Sequence, residues 1–385
     1  MVKREVESEL IKLSKQFKAI AVVGPRQSGK TTLTRYVFDR KPYVNLENPD
    51  SRRFALNDPR GFLSQYSSGA VIDEVQRAPE LFSYVQQLLD ESSDKGRFIL
   101  TGSNNFLLQE NISQSLAGRI AYIYLLPFTF TELSVDKNVN LSDQILKGSY
   151  PPVFDQNIDY DKWYPNYIRT YIERDVRQIK NISDLNIFEK FLRLCAGRSG
   201  QLLNMSNLAL ETGVDSKTIA VWLSILESSF IVFRLYPYYK NFNKRIVKMP
   251  KLYFYDTGLI CSLMTITSRS QLNLHPLYGG IFENMVVSEF KKHCLNRAKN
   301  ENIFFWRDNT GHEVDIIIET SDGLLPVEIK SGKTITIEFF NGINYWRKLT
   351  GAQSGAVVFG GDDSQSYSNG RKAITWRNLH MLFKW

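Results

Sequence analysis

Cysteine is scarce in this sequence, and long apolar runs are absent. The 385 residues include three cysteines, Cys195, Cys261 and Cys294, which are widely spaced and form no CxxC pair. This pattern argues against a disulfide framework and against a structural zinc site, and it favours a reducing compartment. No apolar run approaches the roughly 18 residues that span a bilayer, and the charged, helix-like start does not resemble a secretory signal. We therefore expect a cytoplasmic protein that has no membrane partner.

Other absences narrow the class of protein further. The sequence has no repeat at solenoid or propeller periods. Its 43% hydrophobic and 23% charged residues exclude a disordered or low-complexity chain. A chain of this length favours two or three domains of about 100–200 residues each. The net charge of +8 permits a polyanionic partner but does not require one.

The first third of the chain alternates short apolar runs with amphipathic stretches. This pattern predicts an α/β domain with a parallel sheet. Helices are expected over 30–39, directly after the first strand, and over 79–91, where Pro79 suits the first turn. Strands are expected over 17–23, 43–46, 70–72, 98–101 and 120–126.

A glycine-rich segment between the first strand and the helix after it carries the most specific motif. Residues 24–31 read GPRQSGKT and match GxxxxGK[ST] in full. The two glycines let the loop curl so that backbone N–H groups face phosphates at the positive end of the helix dipole. Lys30 would reach the β- and γ-phosphates and Thr31 would ligate Mg²⁺, whereas the alternative is a glycine turn with an incidental lysine. The predicted ATP-binding residues are Gly24, Pro25, Arg26, Gln27, Ser28, Gly29, Lys30, Thr31 and Thr32.

Two later strands end in residues suited to nucleotide hydrolysis. We expect Asp73 to hold Mg²⁺ through water and Glu74 to polarise the attacking water, with a solvated acidic pair at a strand end as the alternative. Ser103 or Asn104 could sense the γ-phosphate, unless they belong to a plain strand-to-turn segment. Arg119 could reach a phosphate in cis or from a neighbouring subunit, and a surface salt bridge is the competing interpretation.

Together these segments resemble the AAA+-superfamily ATPases that are widespread in archaea and bacteria. The resemblance rests on the P-loop, on VIDE at 71–74, on LTGS at 100–103 and on LAGR at 116–119. It continues at YIERDV (171–176) and at PKLYFYDTG (250–258). The resemblance implies an N-terminal ATPase, a winged helix and a C-terminal domain of uncharacterised function that resembles PD-(D/E)xK nucleases.

The middle of the chain has the proportions of a helix–turn–helix. Helices are expected over 204–211 and 215–228, with Gly213 in the turn and Asp215 as the N-cap of the second helix. Strands that follow them, over 230–235 and 245–255, could pair as a wing.

A basic segment in this region bears on nucleic-acid binding. Five of the twelve residues at 240–251 are Lys or Arg and none is acidic, which is consistent with phosphate contacts by the wing. Lys217 is the only basic residue over 216–226, which argues against sequence reading by the second helix. Contact with DNA and a purely structural role that packs two domains together both stay open.

Two C-terminal segments, 311–318 and 325–330, carry carboxylates in a D-x12-ExK spacing. On strands, the alternation puts Asp315, Glu328 and Lys330 on one face. An oxygen-rich Mg²⁺ site would then form from the two carboxylates and the Ile329 carbonyl. Lys330 could orient water or stabilise the phosphorane.

Glu283, in an amphipathic helix expected over 280–297, could add a fourth polar group to this metal site. The resemblance implies the α-β-β-β-α-β fold of restriction-endonuclease-like domains here, although two strands with charged outer faces would show the same letters. His312 is expected to be a turn or surface residue.

The combined interpretation is a cytoplasmic α/β protein of three domains. Residues 1–180 form an AAA+-type P-loop ATPase with a helical extension, 181–255 a winged-helix-like module, and 256–385 a nuclease-like domain. The first hypothesis is an enzyme that uses ATP and Mg²⁺ to process duplex or branched DNA, with a homo-oligomer among the expected assemblies. The second is an ATP-driven switch or remodeller whose last domain binds a partner without cutting. The sequence has no Asn-Lys-x-Asp motif, which disfavours a GTP-selective switch.

Overall fold

The computed structural model describes residues 2–103, 116–171, 176, 184–239, 247–299 and 301–383. The chain divides into two compact units. The first comprises Met1–Phe128, Ser228–Phe230 and Leu295–Asn300, and the second comprises Thr129–Glu227, Ile231–Cys294 and Glu301–Trp385. The division into three domains near residues 180 and 255 stays a prediction. In the described ranges, no helix is both long enough and apolar enough to cross a membrane.

The first unit is built around a parallel sheet. Its elements are α1 (Glu7–Ser14), β1 (Ala19–Val23), α2 (Lys30–Val37), β2 (Tyr43–Asn45), α3 (Pro49–Asn57), α4 (Pro59–Ser64), β3 (Ala70–Asp73), α5 (Leu81–Asp90), β4 (Phe98–Gly102) and β5 (Ile120–Tyr124). The strands lie in the order β2-β3-β4-β1-β5, and every neighbouring pair is parallel. The central strands β1, β3 and β4 are buried along their whole length, as expected for a parallel sheet that is covered on both faces.

The strand register brings the ends of three strands to one edge of this sheet. Val23 at the end of β1 pairs with Gly102 at the end of β4, and Asp73 at the end of β3 pairs with Asn45 of β2. Ligands of open parallel sheets bind at such carboxyl ends. The edge that carries the P-loop is therefore the place where a site is expected.

The second unit begins with helices and a short antiparallel strand pair. These elements are α6 (Leu141–Lys147), α7 (Pro151–Asp155), α8 (Tyr160–Tyr171), α9 (Leu185–Ala196), α10 (Met205–Thr212), α11 (Ser216–Ser228), β6 (Val232–Leu235), β7 (Lys251–Phe254), α12 (Thr257–Leu263), α13 (Arg269–Leu274) and α14 (Tyr278–Asn296). Gly213 ends α10 in the left-handed region at φ 80°. The Asp215 carboxylate accepts the N–H groups of Lys217 and Thr218 at 2.8 and 2.9 Å and so caps α11.

A mixed six-stranded sheet completes the second unit. It contains β8 (Ile303–Arg307), β9 (Glu313–Thr320), β10 (Gly323–Lys330), β11 (Gly355–Phe359), β12 (Gln365–Ser366) and β13 (Arg371–Thr375), with α15 (Asn341–Thr350) between β10 and β11. The strand order is β12-β13-β11-β10-β9-β8. One apolar cluster of this unit contains Trp306, Val314, Ile317 and Trp346, which come from β8, β9 and α15.

Most predicted elements are confirmed with shifted ends. The parallel sheet of the first unit is present, and each of its strands overlaps the predicted range. The helix expected over 79–91 begins at Leu81, so Pro79 precedes its first turn. Strands β6 and β7 pair antiparallel, as expected for the wing, and the run from α14 to β11 has the element order α-β-β-β-α-β. A winged helix and a nuclease-like domain stay predictions.

Candidate functional site

The P-loop joins the end of β1 to the start of α2, and two glycines shape it. A Cβ at Gly24 would lie 2.1 Å from the carbonyl oxygen of Leu125, so only glycine fits against the segment that follows β5. Gly29, the N-cap of α2, has φ 94° in the left-handed region that favours glycine. The loop therefore curls tightly before the helix, in the geometry that phosphate binding at a helix N-terminus needs.

Lys30 is directed back into this loop. Its Nζ donates to the backbone carbonyls of Gly24 and Pro25 at 2.9 and 2.8 Å, and the side chain is buried. A buried ammonium needs acceptors around it. Loop carbonyls supply them here, and phosphate oxygens are stronger acceptors because they carry charge.

Asp73 lies at the end of β3 among three hydroxyl donors. Its Oδ2 accepts from Thr31 Oγ1 and from Tyr43 Oη, each at 2.7 Å, and its Oδ1 accepts from Thr101 Oγ1. The carboxylate is only 2% exposed. Burial and the hydrogen bond to Asp73 raise the pKa of the Tyr43 hydroxyl above its ordinary value. The structure thus brings together Thr31 and Asp73, the two residues of the P-loop region that the sequence assigns to Mg²⁺, Asp73 acting through water.

Glu74 follows in a strained conformation. Its φ of 54° lies in the left-handed region, which is uncommon for a residue other than glycine and is found at functional sites. Its Oε2 accepts from Ser103 Oγ at 3.1 Å and from the Gln76 side-chain amide, and its N–H donates to Thr101 Oγ1 at 3.3 Å. Ser103 therefore contacts the candidate catalytic carboxylate. Asn104 lies outside the described residues.

Arg119 is not brought to this site. It precedes β5, and its carbonyl accepts from Ala19 N–H at the amino end of β1, whereas the P-loop follows the carboxyl end. Its guanidinium pairs with Asp90 on the surface, with Nη2 at 3.0 Å from Oδ2. The predicted role in cis is therefore wrong, because a whole strand length separates Arg119 from Lys30. Of the predicted roles, the surface salt bridge is observed and action on a neighbouring subunit stays a prediction.

Three residues of the ATP site escaped the sequence analysis: Tyr43, Gln76 and Thr101. Tyr43 could have been found from the strand register, because β2 lies beside β3. Thr101 is the second residue of the LTGS segment and faces Asp73 across the β3–β4 pair. Gln76 sits two residues after Glu74 in the turn that follows β3, and no sequence signal distinguished it.

A second group of charged residues lies in the second unit, where β9 and β10 meet. Asp315 Oδ2 accepts the Ile329 N–H at 2.7 Å, just beyond the last register pair, Val327 with Ile316. Lys330 Nζ lies 2.6 Å from Glu328 Oε2 and 3.5 Å from Asp315 Oδ2. The predicted juxtaposition of these three side chains is present. A Cβ at Gly342 would lie 1.8 Å from Glu328 Oε1, so the start of α15 leaves space for that carboxylate.

Glu283 joins the same group from α14, together with partners that were not predicted. Its Oε1 accepts from Lys251 Nζ at 2.9 Å and from Tyr253 Oη at 2.6 Å. Lys251 also pairs with Glu313, which in turn pairs with Arg307 at 3.2 Å. We call the set Lys251, Glu283, Glu313, Asp315, Glu328 and Lys330 the carboxylate–lysine cluster.

Burial sets the electrostatics of this cluster. It raises the pKa of Glu283 and, with the nearby Asp315 charge, holds the pKa of Glu328 well above its usual value. Burial opposes a charge on Lys330, but Asp315 and Glu328 outweigh that effect and raise the lysine pKa above its ordinary value. Among the described residues, no group of three or more His, Cys, Asp or Glu is arranged to hold a metal ion. The Mg²⁺ site predicted from Glu283, Asp315 and Glu328 therefore gains no support from the geometry.

The basic segment needs a correction as well. Lys251 is buried in the cluster, so it is not a phosphate-contacting residue of a wing. Lys248 is exposed, and Lys240, Lys244 and Arg245 lie outside the described residues. His312 is half-exposed and stacks on Tyr345 with ring centroids 3.8 Å apart, as suits a surface turn residue.

Comparison with known proteins gives three family matches along the chain. Residues 16–134 match the family model of an AAA domain, whereas residues 138–270 and 278–379 match two domains of unknown function, DUF8612 and DUF4143. The AAA match covers the P-loop, Asp73 and Glu74. The first unit therefore contains an ATPase-like AAA domain.

The similar full-length proteins are uncharacterised. Mb2031c of Mycobacterium bovis and Rv2008c of Mycobacterium tuberculosis are each 32% identical over 341 residues, which is 87% of this chain and 75% of each relative. MJ1544 of Methanocaldococcus jannaschii is 24% identical and matches 83% of this chain and 75% of its own length. The Walker-type ATPase PABY2304 of Pyrococcus abyssi, a solved structure, has a TM-score of 0.47 at 15% identity over 69% of this chain and 96% of that chain. A likeness this distant says nothing about function.

Proposed function

We propose that this chain, which belongs to the same family as the two mycobacterial proteins, binds ATP with Mg²⁺ at its P-loop and hydrolyses it. One observation carries the proposal: Thr31 Oγ1 and Asp73 Oδ2 lie 2.7 Å apart beside Lys30 and the N-terminus of α2. Hydroxyl and carboxylate oxygens are the ligands that Mg²⁺ prefers, and it usually binds through one or two of them together with phosphates. When bound, the ion would neutralise charge on the phosphates.

The side chain of Lys30 supports binding of a polyphosphate. Its ammonium group now rests on two uncharged carbonyls, at 2.9 and 2.8 Å. Exchange of these acceptors for phosphate oxygens would replace hydrogen bonds from the ammonium to uncharged carbonyls by ion pairs, in which the acceptor is charged as well as the donor. The gain favours the nucleotide-bound state.

Glu74 supports hydrolysis. It is the carboxylate next to Asp73, and Ser103 and Gln76 orient its Oε2. In that position it would accept a proton from the attacking water.

Turnover measurements test this assignment. Lys30→Ala should abolish tight ATP binding, because it deletes the cation inside the loop. Glu74→Gln should keep ATP binding and slow hydrolysis by about 10²–10⁴-fold, since its shape survives but its basicity is lost. Glu80→Gln, on an exposed neighbouring glutamate, is the matched control and should behave as wild type. Wild-type turnover by Glu74→Gln would show that this carboxylate is not the base.

We also propose that ATP turnover is coupled to DNA processing through the second unit. The support is the convergence of Glu283, Asp315, Glu328 and Lys330, which come from α14, β9 and β10 and are distant in sequence. These residue types could serve metal-assisted phosphodiester hydrolysis if a divalent cation displaced the lysines, since the described residues are not already arranged as a metal site.

A second candidate is an ATP-driven switch whose second unit binds a partner without cutting. It is favoured by the ion pairs within the carboxylate–lysine cluster. Lys251 pairs with Glu283 and Glu313. Lys330 pairs with Asp315 and Glu328. A carboxylate that is already compensated by a lysine binds a divalent cation less readily, since the lysine must first be displaced.

Cleavage assays separate the two candidates. Duplex and branched DNA are incubated with Mg²⁺ or Mn²⁺ and wild type, Asp315→Asn or Glu319→Gln. Asparagine retains an acceptor for the Ile329 N–H, so the β9–β10 pairing survives. Cleavage by wild type and Glu319→Gln, an exposed control on the same strand, but not by Asp315→Asn supports DNA processing. Absence of metal-dependent cleavage with every substrate supports the non-cutting switch.

DNA binding by the basic segment is tested separately. Replacing Lys244, Arg245 and Lys248 by glutamine removes three cationic side chains. Affinity for duplex DNA should fall for all sequences alike, and the slope of log K against log salt should become shallower by about 0.9 per lost contact. An unchanged slope would assign the segment to domain packing.

A further inference from the structure

The guanidinium group of Arg4 is buried behind the P-loop. Arg4 lies ahead of α1 and is 6% exposed. Its Nη1 donates to the Ser28 carbonyl at 2.8 Å, and its Nη2 donates to the Leu126 carbonyl at 2.5 Å. Its Cζ lies 4.8 Å from the centroid of the Phe128 ring. Charged side chains are almost never buried to this degree unless specific groups compensate them. These contacts therefore define a built site for the arginine.

One of the two carbonyls lies at the end of the P-loop, and the other lies in the segment after β5 that packs against the start of the loop. Ser28 directly precedes Gly29 and Lys30, and Leu126 directly follows Leu125, whose carbonyl lies against Gly24. The guanidinium presents its donors in a rigid planar fork. It thereby sets the distance between the end of the loop and the segment that supports its start.

The contact to Ser28 also fixes the direction of a phosphate-binding group. The Ser28 carbonyl and the Gly29 N–H belong to one planar trans peptide unit, so they point in opposite directions. Because Arg4 binds the carbonyl from one side of this peptide, the Gly29 N–H points to the side away from Arg4, at the start of α2. Without Arg4 the buried carbonyl would lose its donor, and rotation of the peptide to find another would turn the N–H away from the phosphates.

We infer that Arg4 is a positioning residue of the nucleotide site. It would pre-organise the P-loop peptide between Ser28 and Gly29 for a phosphate oxygen. The inference rests on the proposed function. Arg4 lies upstream of residues 16–134, the part of the chain that matches the AAA domain.

Equilibrium nucleotide binding to the full chain tests this role. Calorimetry with ADP and with a non-hydrolysable ATP analogue, each with Mg²⁺, compares wild type with Arg4→Met and Arg4→Lys. Methionine preserves the apolar contact with Phe128 but has no donors. We expect Arg4→Met to weaken binding by about 10- to 100-fold, as for loss of charge-assisted hydrogen bonds. Arg4→Lys should be intermediate, because it keeps the charge without the fork.

A destabilised control distinguishes positioning from general stability. Val6→Ala changes a fully buried apolar residue of the same N-terminal segment and should lower the Tm while leaving the nucleotide Kd at the wild-type value. If Arg4→Met lowers the Tm as Val6→Ala does but binds nucleotide normally, the inference is overturned. If Arg4→Met does not fold, Arg4→Lys takes its place in the comparison with Val6→Ala. A wild-type nucleotide Kd for Arg4→Lys would then overturn the inference, and a raised Kd would support it. If wild type binds nucleotide no better than Lys30→Ala does, the proposed function fails and the inference fails with it.

Discussion

Replacement of Thr101 by valine should weaken both the fold and the Mg²⁺ dependence of the ATP site. Thr101 is fully buried in β4, and its single hydroxyl donates to Asp73 Oδ1 and accepts the Glu74 N–H at 3.3 Å. Valine keeps the branched shape but replaces the hydroxyl by a methyl group. The substitution therefore removes the hydrogen bonds without opening a cavity.

The two lost hydrogen bonds determine how far the free energy of unfolding should fall. A hydrogen bond to a charged group contributes about 1.5–3 kcal/mol, and a buried N–H without a partner costs about 1–3 kcal/mol. Glu74 is only half-buried, so water can satisfy part of the second term. We expect the free energy of unfolding to fall by about 2–4 kcal/mol. Loss of a residue that orients a metal-binding carboxylate typically costs about 10- to 100-fold in metal affinity or activity, so half-maximal turnover should need correspondingly more Mg²⁺.

Urea unfolding and ATP turnover over a Mg²⁺ titration measure the two effects. Thr101→Ser is the matched control, because serine keeps the hydroxyl and loses only a methyl group. It should retain the wild-type Mg²⁺ dependence with a loss of stability of about 1 kcal/mol. If Thr101→Val unfolds within about 0.5 kcal/mol of wild type and has the same Mg²⁺ midpoint, the hydroxyl does not orient Asp73 and the reasoning is refuted.

Two further predictions concern charged side chains. Lys251→Met leaves Glu283 and Glu313 without a buried lysine, so the free energy of unfolding should fall by about 3–5 kcal/mol at pH 7. Burial already raises the pKa of Glu283, and removal of the lysine that lowers it moves that pKa in the native state further above the unfolded value. Stability relative to wild type should therefore fall as pH rises from 4 to 7 in urea titrations, and a pH-independent loss would contradict this. Arg119→Ala removes an exposed pair with Asp90 and a hydrogen bond to the Ala117 carbonyl, and it should leave the free energy of unfolding nearly unchanged in urea titrations. If it nevertheless abolishes ATP turnover and mixing with Glu74→Gln restores some, Arg119 acts on a neighbouring subunit, whereas normal turnover would leave it a surface salt bridge.

The parts of the ATP site that could be predicted depend on neighbours in sequence. A buried apolar run before a glycine-rich loop and a helix after it specify the P-loop locally, and both glycines occupy positions where a Cβ is excluded or φ is positive. The partners of Asp73 depend instead on strand order. Tyr43 and Thr101 lie 30 and 28 residues from Asp73, and composition indicates a parallel sheet without indicating which strands are adjacent.

The carboxylate–lysine cluster also contains contacts that the sequence pattern could not predict. Alternation along β9 and β10 was enough to bring Asp315, Glu328 and Lys330 together. It could not show that Lys251 is buried beside them, because that contact depends on where β7 packs against α14. From sequence alone, a run of lysines and arginines indicates one solvated basic face. Burial of Lys251 changes its role from a phosphate contact to a counter-ion for buried carboxylates.

The two charged sites differ in what they have left to bind. In the P-loop, Lys30 rests on neutral carbonyls, and the buried Ser28 Oγ has no hydrogen-bond partner within the described part of the chain. The Ser28 hydroxyl would gain a partner when a phosphate oxygen arrives, because a buried polar atom without a hydrogen-bond partner carries a desolvation cost. In the carboxylate–lysine cluster the lysines already compensate the carboxylates, and raised pKa values let Glu283 and Glu328 take up a proton in place of a cation. A phosphate at the first site would exchange with the uncharged loop carbonyls that accept from Lys30, whereas a metal ion at the second must displace a lysine or a proton. The geometry therefore favours ligand binding at the first site over metal binding at the second, and the turnover and cleavage measurements proposed above test the two proposals.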